Sequence, residues 1–257
     1  MGQQPTVCLV TAGGDHPWAI AAALADRFGE GLVVVEEEPE GKRRLIARRA
    51  RSRGWANALG QLGTMAVIRI GKGLFGWRIR RTLQRKGLEI APRPGQRIVR
   101  VPSVNSDAFI HFISDLEPDL LFLAGCRLMT AGTLRAMPCR VVNYHAGITP
   151  AYRGMNGGYW ALVQGEPENF GTTVHFVDEG IDTGLVLAQV RCQPEPGDTI
   201  ITYPYTMVAA SLGACVRCAE EVLQGEPETL SPIGDSRLWQ HPTLWTYLRV
   251  GVSKGVW

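Results

Sequence analysis

Residues 141–189 read VVNYHAGITPAYRGMNGGYWALVQGEPENFGTTVHFVDEGIDTGLVLAQ. Two short apolar runs, Val141-Val142 and Thr172–Val177, predict strand ends flanking a loop dense in Gly, Pro, Tyr and Arg. The loop opens with Asn143 and His145, and a second turn, Glu179–Gly184, carries Asp182. An amide, an imidazole and a carboxylate at strand ends and in Gly-rich turns suit a reaction centre better than a packed core.

Upstream, strands and helices alternate. Thr6–Val10 is β-rich, and Pro17 opens an Ala-rich helix to Phe28 after the turn Thr11–His16. Gly31–Val35 predicts a second strand and Arg97–Val101 a third. Ser106 caps a helix running to Leu116, and the unbroken apolar run Asp119–Ala124 predicts a strand buried on both faces. A short helix ending near Met137 and a strand over Arg140–Asn143 then lead into the opening stretch. This alternation predicts an α/β fold: one Rossmann-like domain with a mostly parallel twisted sheet flanked by helices. Ligands of such sheets bind beyond the carboxyl ends of the strands, where Gly125–Met129 and Asn143–Gly147 both fall. The backbone N–H groups of Gly13 and Gly14, at a helix N-terminus, are expected to hold an anionic substrate group. Glu36–Glu38 follow the second strand, but the turn has no GxGxxG, so nicotinamide-dinucleotide binding is not expected.

The rhythm breaks over about 41–90. From Lys42 to Lys86 there are fourteen Lys and Arg and no Asp or Glu, so the rest of the chain holds 27 − 14 = 13 basic against 24 acidic residues. The overall charge of +3 therefore describes neither part. The first part of this insertion reads as a basic helix. The second, Leu59–Ile79, is an apolar run broken by glycines and by Arg69 and Lys72, too charged for a membrane span. Such a hairpin fits peripheral contact with an anionic membrane, a lid over the site, or a solvated basic face packed on the domain or on the second subunit of a homodimer. No aromatic interleaving or nucleic-acid module accompanies the charge, so no nucleic-acid partner is expected. A helix over Tyr205–Gln224, stopped by Gly225, closes a catalytic domain of residues 1–225; residues 226–257 form an extension without its own domain.

Composition fits an ordinary globular chain, 45% hydrophobic and 20% charged. The N-terminus lacks the basic-then-apolar pattern of a secretory leader, which points to the cytoplasm. The six cysteines, including Cys215 and Cys218, are expected as buried thiols, and no metal is expected.

The chemistry of the triad can be argued from residue type. Asn143 can donate to a developing oxyanion, and His145 reaches the same side if residues 143–145 stay extended. Asp182 can hold the imidazole charged or collect a proton through water. No Ser or Cys stands beside them as a nucleophile, so direct transfer to a bound amine is favoured over a covalent intermediate. HAGITPAYRG and GTTVHFVDEGIDTG, ending in LAQ, closely resemble the formyltransferases that use 10-formyltetrahydrofolate, which act on glycinamide ribonucleotide, methionyl-tRNA or sugar amines. The resemblance is strong over about 120–225, looser over 5–40 and 97–120, and absent from 41–90 and the tail. It implies Asn143, His145 and Asp182 as catalytic residues, with His145 as imidazolium. It also implies a folate cradle of Gly125, Cys126, Arg127, Leu128 and Met129, closed by Val177, Asp178, Glu179, Gly180 and Ile181. Arg153 and His175 match substrate-side positions. Gly147-Ile148-Thr149 replaces the family's Ser-Leu-Leu, so the substrate-side hydroxyl is either that of Thr149 or missing. The turn TAGGDH lacks the Gly-Ser-Asn phosphate loop of the glycinamide ribonucleotide enzymes, and the short tail leaves no room for the tRNA enzymes' extra domain. The implied acceptor is a small-molecule amine, such as an amino sugar. Glycinamide ribonucleotide transfer, hydrolysis of the formylfolate and an inactive folate- or nucleotide-binding homologue are the alternatives.

Overall fold

In chain order, Val7–Thr11 (β1) leads into Asp15–Phe28 (α1), Leu32–Glu37 (β2), Trp55–Leu74 (α2) and Gly76–Arg85 (α3). Arg97–Val101 (β3), Asp107–Leu116 (α4), Leu120–Ala124 (β4), Ala131–Arg135 (α5) and Arg140–His145 (β5) follow. Arg153–Gly154 (β6), Gly157–Gln164 (α6), Gly171–Phe176 (β7), Val186–Arg191 (β8), Tyr203–Gln224 (α7), Leu238–Trp239 (β9) and Leu244–Lys254 (α8) complete the order. The computed structural model describes every residue except 1–3, 40, 42–45, 48, 52, 53 and 226. Much of the basic helix expected at the start of the insertion lies outside the described residues; 46, 47 and 49–51 are helical.

Seven strands form one sheet in the order β3-β2-β1-β4-β5-β7-β8. The first five are parallel and β7 alone is reversed, antiparallel to both β5 and β8, giving the mostly parallel Rossmann-like sheet that the alternating pattern predicts. β1 and β4 are buried along their whole length because both faces of the sheet are covered. On one face Val7, Leu9, Phe122 and Val142 pack with Ile20 and Leu24 of α1 and Val208 and Ala219 of α7. On the other, Cys8, Val10, Leu121 and Val141 pack with Phe109 and Ile113 of α4. Ser106 caps α4, accepting from the Phe109 N–H at 3.3 Å.

Three elements differ from the sequence reading. β5 continues to His145 instead of ending at Asn143, because β7 pairs alongside it, Asn143 opposite His175 and His145 opposite Thr173. The apolar part of the insertion is not broken by its glycines: α2 runs through Gly60, Gly63 and Gly71. Gly60 and Gly63 admit α8, since a Cβ on Gly60 would stand 2.3 Å from the Trp245 ring and one on Gly63 would meet Leu244 at 3.1 Å; a Cβ on Gly71 would meet Ile201 at 2.8 Å. The tail, which shows no strand pattern, is folded back on the rest of the chain. β9 pairs with β6, and Thr243 caps α8, accepting from the Thr246 N–H. Among the described residues no helix is long and apolar enough to cross a membrane.

Candidate active site

β5 exposes alternate side chains on opposite faces, so Asn143 and His145 point together while Tyr144 packs into the core beneath α1 and α7. The unbroken antiparallel register of β5 and β7 sets His175 directly across from Asn143; the register shift between Val174 and His175 lies on the other edge of β7, where it meets β8. Asp182 arrives from the following loop in a left-handed conformation (φ 51°), which Asp tolerates better than most residues. Asp178 shapes that loop, accepting from the Gly180 N–H (3.0 Å) and the Thr183 hydroxyl (2.7 Å).

The four side chains form one network. Asp182 Oδ2 lies 3.4 Å from His145 Nδ1 and accepts the Gly154 N–H at 2.8 Å. Its Oδ1 lies 3.5 Å from His175 Nε2 and accepts from Asn143 Nδ2 at 3.4 Å. His145 Nε2 stands 2.7 Å from the Tyr152 carbonyl, which can only accept, so that nitrogen carries a proton. His175 Nδ1 meets the Phe176 carbonyl at 2.7 Å, which leaves Nε2 to accept from Asn143 Nδ2 at 3.1 Å. A Cβ on Gly147 would lie 2.3 Å from the Tyr152 carbonyl and 2.7 Å from His145 Nε2, so a glycine is needed where the loop crosses this bond.

Burial alone would raise the Asp182 carboxyl, but His145, His175 and the Gly154 N–H together bring its pKa down to about 2. Burial lowers the His145 pKa below its ordinary 6.5; Asp182 and the Tyr152 carbonyl pull the other way without cancelling it. The free site thus has an ionised Asp182 beside a neutral His145, protonated on Nε2 with its Nδ1 lone pair toward the carboxylate. Burial works against the imidazolium that the sequence resemblance implies, and the Asp182 carboxylate works for it.

These residues stand in a cleft of about 900 Å³ at the carboxyl ends of β1, β2, β4 and β5. Gly125–Met129 form one wall with Val177, Asp178, Gly180 and Ile181. Glu179 lies outside it and pairs with Arg135 at 2.7 Å. Glu37, fully buried at the end of β2, accepts the backbone N–H groups of Arg127 (2.5 Å) and Val104 (3.1 Å), and the Arg127 guanidinium stands 3.5 Å away. Arg127 Nη2 also donates to the Glu38 carbonyl. Among the acidic residues after β2, Glu37 therefore fixes the 125–129 loop. Three acidic residues in a row gave no sign of which would turn inward.

Of the expected substrate-side residues, His175 lines the cleft. Gly13, Gly14, Thr149 and Arg153 do not. Gly13 faces Glu36, and Ala12 and His16 bring the turn to the cleft instead. Burial, reinforced by Lys72, lowers the His16 pKa to about 4. Thr149 is buried under the loop, its N–H on the Thr173 hydroxyl and its carbonyl accepting from Gln189. Arg153 braces the 178–182 loop through the Ile181 carbonyl at 3.1 Å.

The opposite wall is made by Arg49, Gln61, Leu238, Trp239, Gln240 and His241, from the insertion and the tail. Trp239 stacks on Trp160 (4.9 Å) and Tyr152 (5.8 Å) and donates from Nε1 to the Ala151 carbonyl at 2.9 Å. Arg153 and Met155 donate their backbone N–H groups to the carbonyls of Arg237 and Trp239. Asn156 Nδ2, Tyr159 Oη and His241 Nδ1, all on cleft residues, are buried without a hydrogen-bond partner in the protein. Burial and the nearby Arg49 charge hold the His241 pKa down to about 4. Among the described residues no group of three or more His, Cys, Asp and Glu could hold a metal ion; Cys215 and Cys218 are buried in α7.

GDP-perosamine N-formyltransferase of Brucella melitensis is 33% identical over 129 residues, 49% of this chain and 48% of the relative. The chain thus spans about half the length of that curated relative. Among solved structures, glycinamide ribonucleotide transformylase 1 from Symbiobacterium toebii superposes with a TM-score of 0.56 at 21% identity, over 87% of this chain and 90% of its own. WlaRD, a sugar 3N-formyl transferase determined in the presence of dTDP and 5-N-formyl-THF, superposes with a TM-score of 0.55 at 12% identity, over 93% of this chain and 70% of its own. At those identities the two structures establish the shared fold. The formyl transferase family model matches residues 81–210, from within α3 to the first turns of α7 and including Asn143, His145 and Asp182. That is just over half of the chain, and on this match the chain belongs to the formyl transferase family.

Proposed function

We propose that the protein is an N-formyltransferase that moves a formyl group from 10-formyltetrahydrofolate to the amine of a small-molecule acceptor of the amino-sugar class. The observation that carries this reading is the joined network of Asn143, His145, His175 and Asp182 at the base of a cleft with two different walls. The wall of Gly125–Met129 with Val177, Asp178, Gly180 and Ile181 supplies backbone polar groups and apolar side chains along one side, which fits a flat heterocycle. The cleft volume is at the upper end of the ~300–1,000 Å³ usual for ligand sites, enough for a folate and an acceptor together. The folate supplies an electrophilic formyl carbon.

The residues of this chain then do three things. Asn143 turns its amide from His175 and Asp182 toward the oxygen that gains charge as the amine adds to the formyl carbon. His145, neutral with Nδ1 facing Asp182, receives the proton released by the attacking amine through a water at that contact. Asp182, ionised throughout, stabilises the imidazolium so formed, which gives its proton to the folate nitrogen as the bond from the formyl carbon to that nitrogen breaks; the Gly154 N–H and Tyr152 carbonyl keep carboxylate and ring in place. Hydrolysis would use the same groups with water as acceptor. The acceptor wall, with buried polar atoms on Asn156, Tyr159 and His241, favours a polar ligand there.

The test is a panel of amines, nucleotide-linked amino sugars and glycinamide ribonucleotide included, assayed with 10-formyltetrahydrofolate for tetrahydrofolate release and for the formylated product. Transfer to an amino sugar is the expected result; formate release with no acceptor dependence would replace the reading with hydrolysis. With the acceptor in hand, Trp239→Ala should raise its KM at least about tenfold with a smaller change in kcat. Loss of the Trp160–Trp239–Tyr152 stack frees the acceptor wall while leaving the triad's own bonds in place.

A further inference from the structure

We propose that the face formed by α2, the start of α3 and α8 docks on an anionic phospholipid surface, lying in the interface without crossing it. At 100° per residue, Trp55, Leu59, Ile70 and Leu74 fall within about 100° of one another on α2, and all four are exposed, Ile70 by 62% and Leu74 by 69%. Phe75 and Trp77 extend this stripe into α3 and are also exposed. On α8, Trp245, Leu248 and Val252 form a second exposed stripe. The stripes adjoin, because Trp245 rests against Gly60 and Leu244 against Gly63. A contiguous apolar face shared by two elements is unusual on a soluble surface unless something covers it.

Charge identifies the occupant. Exposed Arg69, Arg78, Arg80, Arg81 and Arg249 flank the stripes, and residues 42–86 contain no carboxylate. Glu195, from a distant loop, pairs only with Arg85 and Lys86 at the far end of α3. A second copy of this chain would bring the same cations against each other, whereas an anionic bilayer neutralises them and takes the Trp and Leu side chains at headgroup depth. No described helix can span a membrane, as a peripheral mode requires. α2 supplies Gln61 to the acceptor wall, so docking would bring that side of the cleft close to the bilayer.

Co-sedimentation of the full chain with phosphatidylcholine vesicles, with and without phosphatidylglycerol, tests this without reference to activity. Binding to the anionic vesicles only, weakened by high salt, is expected. Ile70→Asp with Leu74→Asp, and separately Arg78→Glu with Arg81→Glu, should each lower partitioning at least about tenfold. Unchanged melting temperatures would show that both variants are folded, as their exposed positions allow. Equal binding to neutral and anionic vesicles, or wild-type partitioning of both variants, would overturn the proposal. So would a stable dimer that Ile70→Asp with Leu74→Asp dissociates while the wild type leaves vesicles unbound, since the stripe would then be a self-association surface.

Discussion

Replacing Asp182 by Asn, or His145 by Ala, is expected to lower kcat/KM by about 10²- to 10⁴-fold, roughly 3–5 kcal/mol of transition-state stabilisation. Each change removes one end of the contact between Asp182 Oδ2 and His145 Nδ1, and with it the proton acceptor or the charge that stabilises it. The pH dependence separates the two roles. The reaction needs neutral His145, whose pKa burial holds below 6.5, so kcat/KM should rise with pH along an acid limb below 6.5 and then level off. Asp182 cannot produce that limb. Its carboxyl titrates at about 2, and the stability its ionised form contributes is present above the ordinary 3.8 and lost only as pH falls through about 2. In Asp182→Asn the residual activity should show the acid limb displaced to lower pH, because the carboxylate that partly raised the imidazole pKa is gone. Full activity in both variants would remove these residues from the chemistry.

Gly154→Ala is expected to damage both stability and turnover. Gly154 holds φ at +88°, and an added Cβ would lie 2.3 Å from the Trp239 carbonyl oxygen and 2.9 Å from Leu238 Cδ1. Left-handed strain and forced separation of β6 from β9 together cost about 2–4 kcal/mol, a fall in Tm of roughly 5–15 °C for a chain of this size. Because the Gly154 N–H also holds Asp182 Oδ2, kcat should fall with stability. Trp239→Ala is the contrast: it disturbs the same junction from the tail side and should be felt mainly in acceptor KM. Thermal melts and initial rates on the two variants distinguish a link from tail to carboxylate from a tail that only covers the cleft.

Much of the fold was legible because its signals are local. The apolar runs of β1 and β4, the Ser106 cap and the alternation of strand and helix need no distant partner to be read. The triad was legible too, since Asn143 and His145 are two residues apart on one strand and Asp182 sits in a recognisable turn. The pairing of Asn143 with His175 was not, because it depends on β7 running antiparallel to β5 in one particular register. Glu37 was hidden among equals: Glu36, Glu37 and Glu38 are alike in type, and only the place of β2 beside the 125–129 loop selects the one that turns inward. Gly60 and Gly63 of α2 looked like interruptions of a helix; their purpose is set by Trp245 and Leu244, nearly two hundred residues away in sequence.

The division follows from range. What repeats within a few residues, such as strand alternation, helix caps and an Asn-x-His spacing, was fixed by amino-acid order: the α/β class, the family and the three polar groups of the centre. What depends on contacts distant in sequence was decided by folding alone. Burial, an effect of packing, lowers the His145 pKa. The β6–β9 pairing made Leu238–His241 a wall of the cleft, and the seating of α8 on α2 joined two stripes into one face.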